Sequence, residues 1–152
     1  MREIWTDAIE GVGPRGGERM KKHMIVMIPP GFSRGVPGRY IPEDAEIIPG
    51  VTYASLVGIM LADGTVCPGI LSEDKTFVIE DINSETLRNR ELLGFLEKGT
   101  VYRQFAHGHI AYNINAKLIF CTQPFEPSME IMRIFDIKYW VPEVYKLQEV
   151  KQ

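Results

Sequence analysis

The sequence predicts an α/β domain built on a mostly parallel sheet. Thr76-Phe77-Val78-Ile79 and Lys117-Leu118-Ile119-Phe120-Cys121-Thr122 are short, continuous apolar runs, the pattern of strands buried on both faces. Between them, Leu87, Leu92, Leu93 and Leu96 fall at helical spacing and form one stripe. The order strand, helix, hairpin, strand, helix then requires crossover connections, which parallel neighbours need and a meander does not.

Length and composition bound what surrounds these elements. A chain of 152 residues with 45% hydrophobic and 24% charged residues suffices for one domain and excludes wholesale disorder. Its formal net charge of -3 excludes binding nucleic acid through bulk charge, so any such contact needs a local patch. The apolar runs are too short to span a bilayer, and no membrane partner is expected. The first residues include Arg2, Glu3 and Asp7 and no apolar leader, and Cys67 and Cys121 suit a reducing compartment. A cytoplasmic, single-domain protein over 1–152 is expected.

Along the chain, Gly11, Gly13, Pro14, Gly16 and Gly17 form one loop cluster, and Pro29, Pro30, Gly31, Gly35, Pro37 and Gly38 a second. His23 to Ile28 between them reads as a buried strand or as the end of a helix begun near Glu18. Six residues do not separate the two. The spacing of Leu56, Ile59 and Met60 predicts a helix over Val51 to Leu61, with Gly58 as its weak point. Asn83 or Ser84 caps a helix from about Glu85 to Lys98, and Gly99 stops it. Thr100 to Phe105 and Ile110 to Ile114 form a hairpin around Ala106-His107-Gly108-His109. Ser128 caps a short helix through Phe135, Tyr139 to Val141 is a brief extended piece, and Pro142 opens a terminal helix. In such sheets ligands bind outside the carboxyl ends of the strands, where Glu80, Asp81, Thr122 and Gln123 stand.

Several segments resemble a family in their order and spacing. Pro68-Gly69-Ile70-Leu71 through Thr76-Phe77-Val78-Ile79-Glu80-Asp81-Ile82 resembles the Walker B region of AAA+ ATPases. Leu92-Leu93-Gly94-Phe95-Leu96-Glu97-Lys98-Gly99-Thr100-Val101-Tyr102-Arg103 resembles the helix entering the hairpin that precedes their sensor 1 strand. Asn115 to Gln123 resembles that strand, and Phe135 to Trp140 the segment after it. The branch with this hairpin includes enhancer-binding activators, magnesium chelatase and the minichromosome maintenance helicases. The resemblance spans roughly residues 50 to 142. It implies a three-layer, P-loop-NTPase-like αβα domain with an inserted hairpin, here without a helical lid, in a homo-oligomeric ring that acts on DNA with Mg²⁺ and ATP.

The resemblance also implies roles. Glu80 and Asp81 serve the metal and the attacking water, Gln123 senses the terminal phosphate, and Arg133 stands nearest the family's arginine finger, acting on a neighbour's nucleotide. Arg103, His107 and His109 meet DNA phosphates, and Tyr102 or Phe105 stacks on bases. Three departures stand out. The family's Asp-then-Glu order is reversed, changing the reach at each position by one methylene, and Gln123 replaces the usual Asn. No G-x-x-x-x-G-K-[ST] loop exists. Gly13-Pro14-Arg15-Gly16-Gly17-Glu18 puts Glu18 where the lysine belongs. Gly31-Phe32-Ser33-Arg34 offers a cation, but Pro37 interrupts the helix that should follow. The phosphate loop is therefore Gly13, Gly16 and Gly17, or Gly31 and Arg34, or degenerate. Three readings remain: a Mg²⁺-dependent ATPase of a DNA-acting ring, a non-hydrolysing relative that binds DNA or a protein through the hairpin, and a small α/β binding protein whose carboxylates are structural.

Overall fold

Runs that are apolar at every position need a sheet covered on both faces, and the chain builds one. A computed structural model describes residues 21–29 and 41–140. Five strands, β1 (His23–Met27), β2 (Glu46–Ile48), β5 (Thr76–Ile79), β8 (Lys117–Thr122) and β9 (Phe135–Tyr139), form one parallel sheet. Its order is β2-β5-β8-β1-β9. Alternation divides the side chains. Ile25, Met27, Phe77, Ile79, Leu118 and Phe120 meet the helices on one face, while Val26, Val78, Ile119 and Cys121 are buried on the other with Ile41, Ala45 and Trp140. His23 to Ile28 is thus a strand, because both faces of it need cover.

The crossover from β2 to β5 departs most from expectation. The helix expected over Val51 to Leu61 is only α1 (Tyr53–Val57), opened by a reciprocal cap between Thr52 and Ser55. Gly58, at φ 105, ends it. The chain then enters a two-stranded antiparallel hairpin of β3 (Gly58–Met60) and β4 (Val66–Pro68), followed by a 3-10 turn at Ile70–Ser72. Local helical spacing loses here to backbone pairing, since Leu61 N–H donates to Thr65 O at 2.8 Å and closes the hairpin.

The helix expected from Glu85 to Lys98 is two pieces, α2 (Ser84–Leu87) and α3 (Arg90–Lys98). Both asparagines act as caps. Asn83 accepts from Glu85 N at 2.7 Å, and Asn89 accepts from Leu92 N at 3.0 Å and restarts the helix. Leu87, Leu92, Leu93 and Leu96 are buried, and Gly99, at φ 82, stops α3 in the left-handed conformation. The expected hairpin follows as β6 (Thr100–Phe105) and β7 (Gly108–Asn113). After β8, Ser128 caps α4 (Met129–Ile134), accepting from Ile131 N at 3.2 Å. The extended piece expected at Tyr139–Val141 begins earlier, as β9, pairing with β1 from His23↔Phe135 to Met27↔Tyr139. The terminal helix expected from Pro142 lies outside the described residues. Among the described residues, no helix is long and apolar enough to cross a membrane.

Candidate functional site

The strand order fixes where a ligand can sit. After β1 the chain crosses to the far edge at β2, returns through β5 and β8, and then passes over β1 to β9. Connections therefore leave the neighbours β8 and β1 in opposite directions, the arrangement that opens a crevice at the carboxyl edge of a parallel sheet. β5 and β8 pair in parallel through Ile79↔Phe120, so the segments after them emerge side by side. Ile28 N–H donates to Thr122 O at 2.9 Å and holds the exit of β1 beside them.

A cavity of about 320 Å³ lies at this edge, lined by Asp81, Ser84, Arg88, Thr122, Gln123 and Phe125 among others. Asp81 and Gln123, singled out for metal and phosphate, are thus brought to one space. Glu80 is half-buried and does not line it, and its N–H extends the sheet to Ile48 O at 2.9 Å. Among the described residues, no three His, Cys, Asp or Glu side chains gather as a metal site. Asp81 is the one carboxylate among the cavity's described lining residues, so a Mg²⁺ ion held here would depend on it, directly or through water, and would take the rest of its shell from water and the ligand's own oxygens. Arg88 was not foreseen from the sequence. The signal was present in Asn89, a second capping residue that breaks the helix beside it.

Gly13, Gly16, Gly17, Gly31 and Arg34 lie outside the described residues. Chain order still separates the two candidate loops, since Gly31 comes four residues after the carboxyl end of β1 and Gly17 six residues before its amino end.

Arg133 is not part of this cavity. α4 carries the chain from the carboxyl end of β8 to the amino end of β9, so Arg133, near its last turn, lies toward the opposite edge. There it pairs with Glu97 at 3.1 Å and borders a cavity of about 200 Å³ with Lys21, Lys22 and His23.

The hairpin residues divide by face. Arg103 points inward, where its guanidinium donates to Gly58 O and stands 5.1 Å from the Tyr53 ring centroid and 5.0 Å from that of Phe105. Tyr112 adds an O–H bond to Val57 O at 2.7 Å. These two donors satisfy carbonyls left open where α1 ends. The outer face carries Tyr102, Gln104 and His109. Tyr102 is 54% exposed, and its ring stacks on His109 at 5.4 Å. His107 is exposed in the turn. The unforeseen β3–β4 hairpin packs alongside, with Met60 against Gly108, and leaves Leu61 and Val66 exposed.

No protein-family model matches the chain, and no curated protein matches it in sequence.

Proposed function

We propose that this chain is an AAA+-like nucleotide-binding domain of the three-layer P-loop-NTPase kind, working in a homo-oligomeric ring that acts on DNA. One observation carries the reading. The segment that resembles Walker B and the one that resembles sensor 1, far apart in sequence, meet at one cavity beside the topological switch point. In this reading Asp81 holds Mg²⁺ through water, and the Gln123 amide donates to the terminal phosphate. Glu80, set off from the cavity, is poorly placed to polarise water, which favours binding over rapid hydrolysis. Arg133 reaches a neighbour's nucleotide across the ring.

Calorimetry of Mg·ATP at near-physiological salt tests this. Micromolar binding is expected, weakened at least about tenfold, or 1.4 kcal/mol, by Asp81→Asn or by removing Mg²⁺. A wild-type chain with no detectable Mg·ATP binding sinks the reading.

A second reading, a non-hydrolysing scaffold that binds DNA through the hairpin, is favoured by the absence of any G-x-x-x-x-G-K-[ST] loop. It expects nucleotide-independent binding of labelled single-stranded DNA that falls with salt. Tyr102→Ala should weaken this binding by about 1–3 kcal/mol, the worth of one base stacked on an aromatic ring. Arg103→Ala should instead lower the melting temperature, because its guanidinium is committed to Tyr53, Phe105 and Gly58. DNA affinity unchanged in Tyr102→Ala would remove the outer face as the contact.

A further inference from the structure

We propose that Arg88 is the phosphate-binding cation of the carboxyl-edge cavity, supplying from the helical side the charge that a P-loop lysine would supply. The proposal rests on the nucleotide-binding reading and identifies the part of the ligand that this wall takes. The cavity joins a carboxylate, an amide and two hydroxyls, and Arg88 is the one cation among its described lining residues. Asp81 and Arg88 border the same space without forming an ion pair with each other. Arg88 has no ion-pair partner among the described residues, so the carboxylate is left for a metal and the guanidinium fork for an anion.

The break between α2 and α3 creates this placement. α2 ends at Leu87, which is buried, and the Asn89 cap restarts the helix at Arg90. Arg88 therefore stands outside both helices, its backbone N–H bonded back to Ser84 O at 3.0 Å and its side chain on the cavity wall. Phosphate is the anion this set fits. A planar guanidinium grips two phosphate oxygens at once, a Mg²⁺ ion on Asp81 would neutralise others, and the Gln123 amide adds a neutral donor. An apolar ligand would leave all three polar groups unpaired.

The test is calorimetry with Mg·ATP and, separately, with magnesium tripolyphosphate, which keeps the phosphates and lacks base and sugar. Wild type, Arg88→Ala, Arg88→Lys and Asp81→Asn are compared. Arg88→Ala is expected to weaken both ligands about tenfold to a hundredfold, the loss of a charge-assisted bidentate contact, and Arg88→Lys to recover part of it. Because Arg88 is exposed, the unfolding midpoint of Arg88→Ala should match wild type. Equal affinity in Arg88→Ala and wild type, with binding still lost in Asp81→Asn, overturns the role of Arg88 and leaves the nucleotide reading standing. Tripolyphosphate binding that needs Arg88, without any binding of Mg·ATP, upholds the anion site and removes the nucleotide. Binding of neither ligand by wild type overturns both.

Discussion

Gly69→Ala is expected to unfold this domain or bring it close to unfolding. A Cβ at Gly69 would lie 2.0 Å from Leu56 O, 2.3 Å from Leu56 C and 2.7 Å from Gly58 N, all of them backbone atoms. No rotamer change relieves a clash with main chain. Gly58 faces it across the same junction, at φ +105, and a Cβ there would come within 2.8 Å of Cys67 O and Gly69 N. The end of α1 and the end of β4 touch backbone to backbone, and separating them disrupts the crossover that buries Leu56, Val57 and Leu71. The expected loss exceeds about 4 kcal/mol, a large part of the roughly 5–15 kcal/mol of a typical domain. Urea unfolding measures it, with Gly94→Ala alongside. Gly94 lies inside α3 with open space around its Cβ position, so that change should raise stability by about 0.5–1 kcal/mol. A Gly69→Ala midpoint equal to wild type would show that the two backbones do not approach this closely.

The second large effect is acid sensitivity through His23. This side chain is 3% exposed at the start of β1, and its Nδ1 accepts from Leu118 N at 3.1 Å. Burial, with a smaller contribution from the charge of Lys22, pushes its pKa from 6.5 down to about 4. The unfolded chain therefore binds a proton between about pH 6.5 and pH 4 that the folded chain refuses, and stability falls as pH drops through that window. At the lower end the cost approaches about 3 kcal/mol, because each tenfold loss of proton affinity on folding corresponds to about 1.4 kcal/mol. Protonation also turns the acceptor of Leu118 N–H into a donor. His23→Gln keeps an acceptor without the titration. Urea midpoints at pH 7.5, 5.5 and 4.5 should fall more steeply for wild type than for His23→Gln. Parallel lines for the two proteins would remove His23 as the cause.

What the sequence made legible follows from which forces were local. β5 and β8 could be read because continuous apolar runs have few alternatives. The stop at Gly99 and the cap at Ser128 could be read because those residue types act within one turn. The helix over Val51 to Leu61 failed for the opposite reason. Ile59 and Met60 sit at helical spacing, but Gly58 and Gly69 close a long-range contact that pulls them into a strand. β9 starts earlier than its sequence suggests because Phe135 to Tyr139 mixes apolar and charged residues, and only its neighbour β1 shows it to be a strand. At the site, Asp81 and Gln123 were legible as residues at strand ends. Arg88 was not, since its place depends on a helix break that a continuous leucine stripe conceals. The inward turn of Arg103 depends on Tyr53 and Gly58, remote in sequence and silent in any local pattern.

The bonds around α1, α3 and the β6–β7 hairpin form a closed triangle. α3 joins the hairpin covalently at Gly99, Tyr112 and Arg103 tie the hairpin to α1, and the Tyr53 hydroxyl ties α1 to the Glu91 carboxylate on α3. A three-sided frame, unlike a single hinge, does not fold flat under a sideways load. One side of this frame is α3, a strut of about 14 Å at 1.5 Å per residue that runs from the hairpin's base at Gly99 to its far end at Asn89. Arg88 is the next residue in the chain. The base of the hairpin and the cavity wall at Arg88 thus stand at the two ends of one truss.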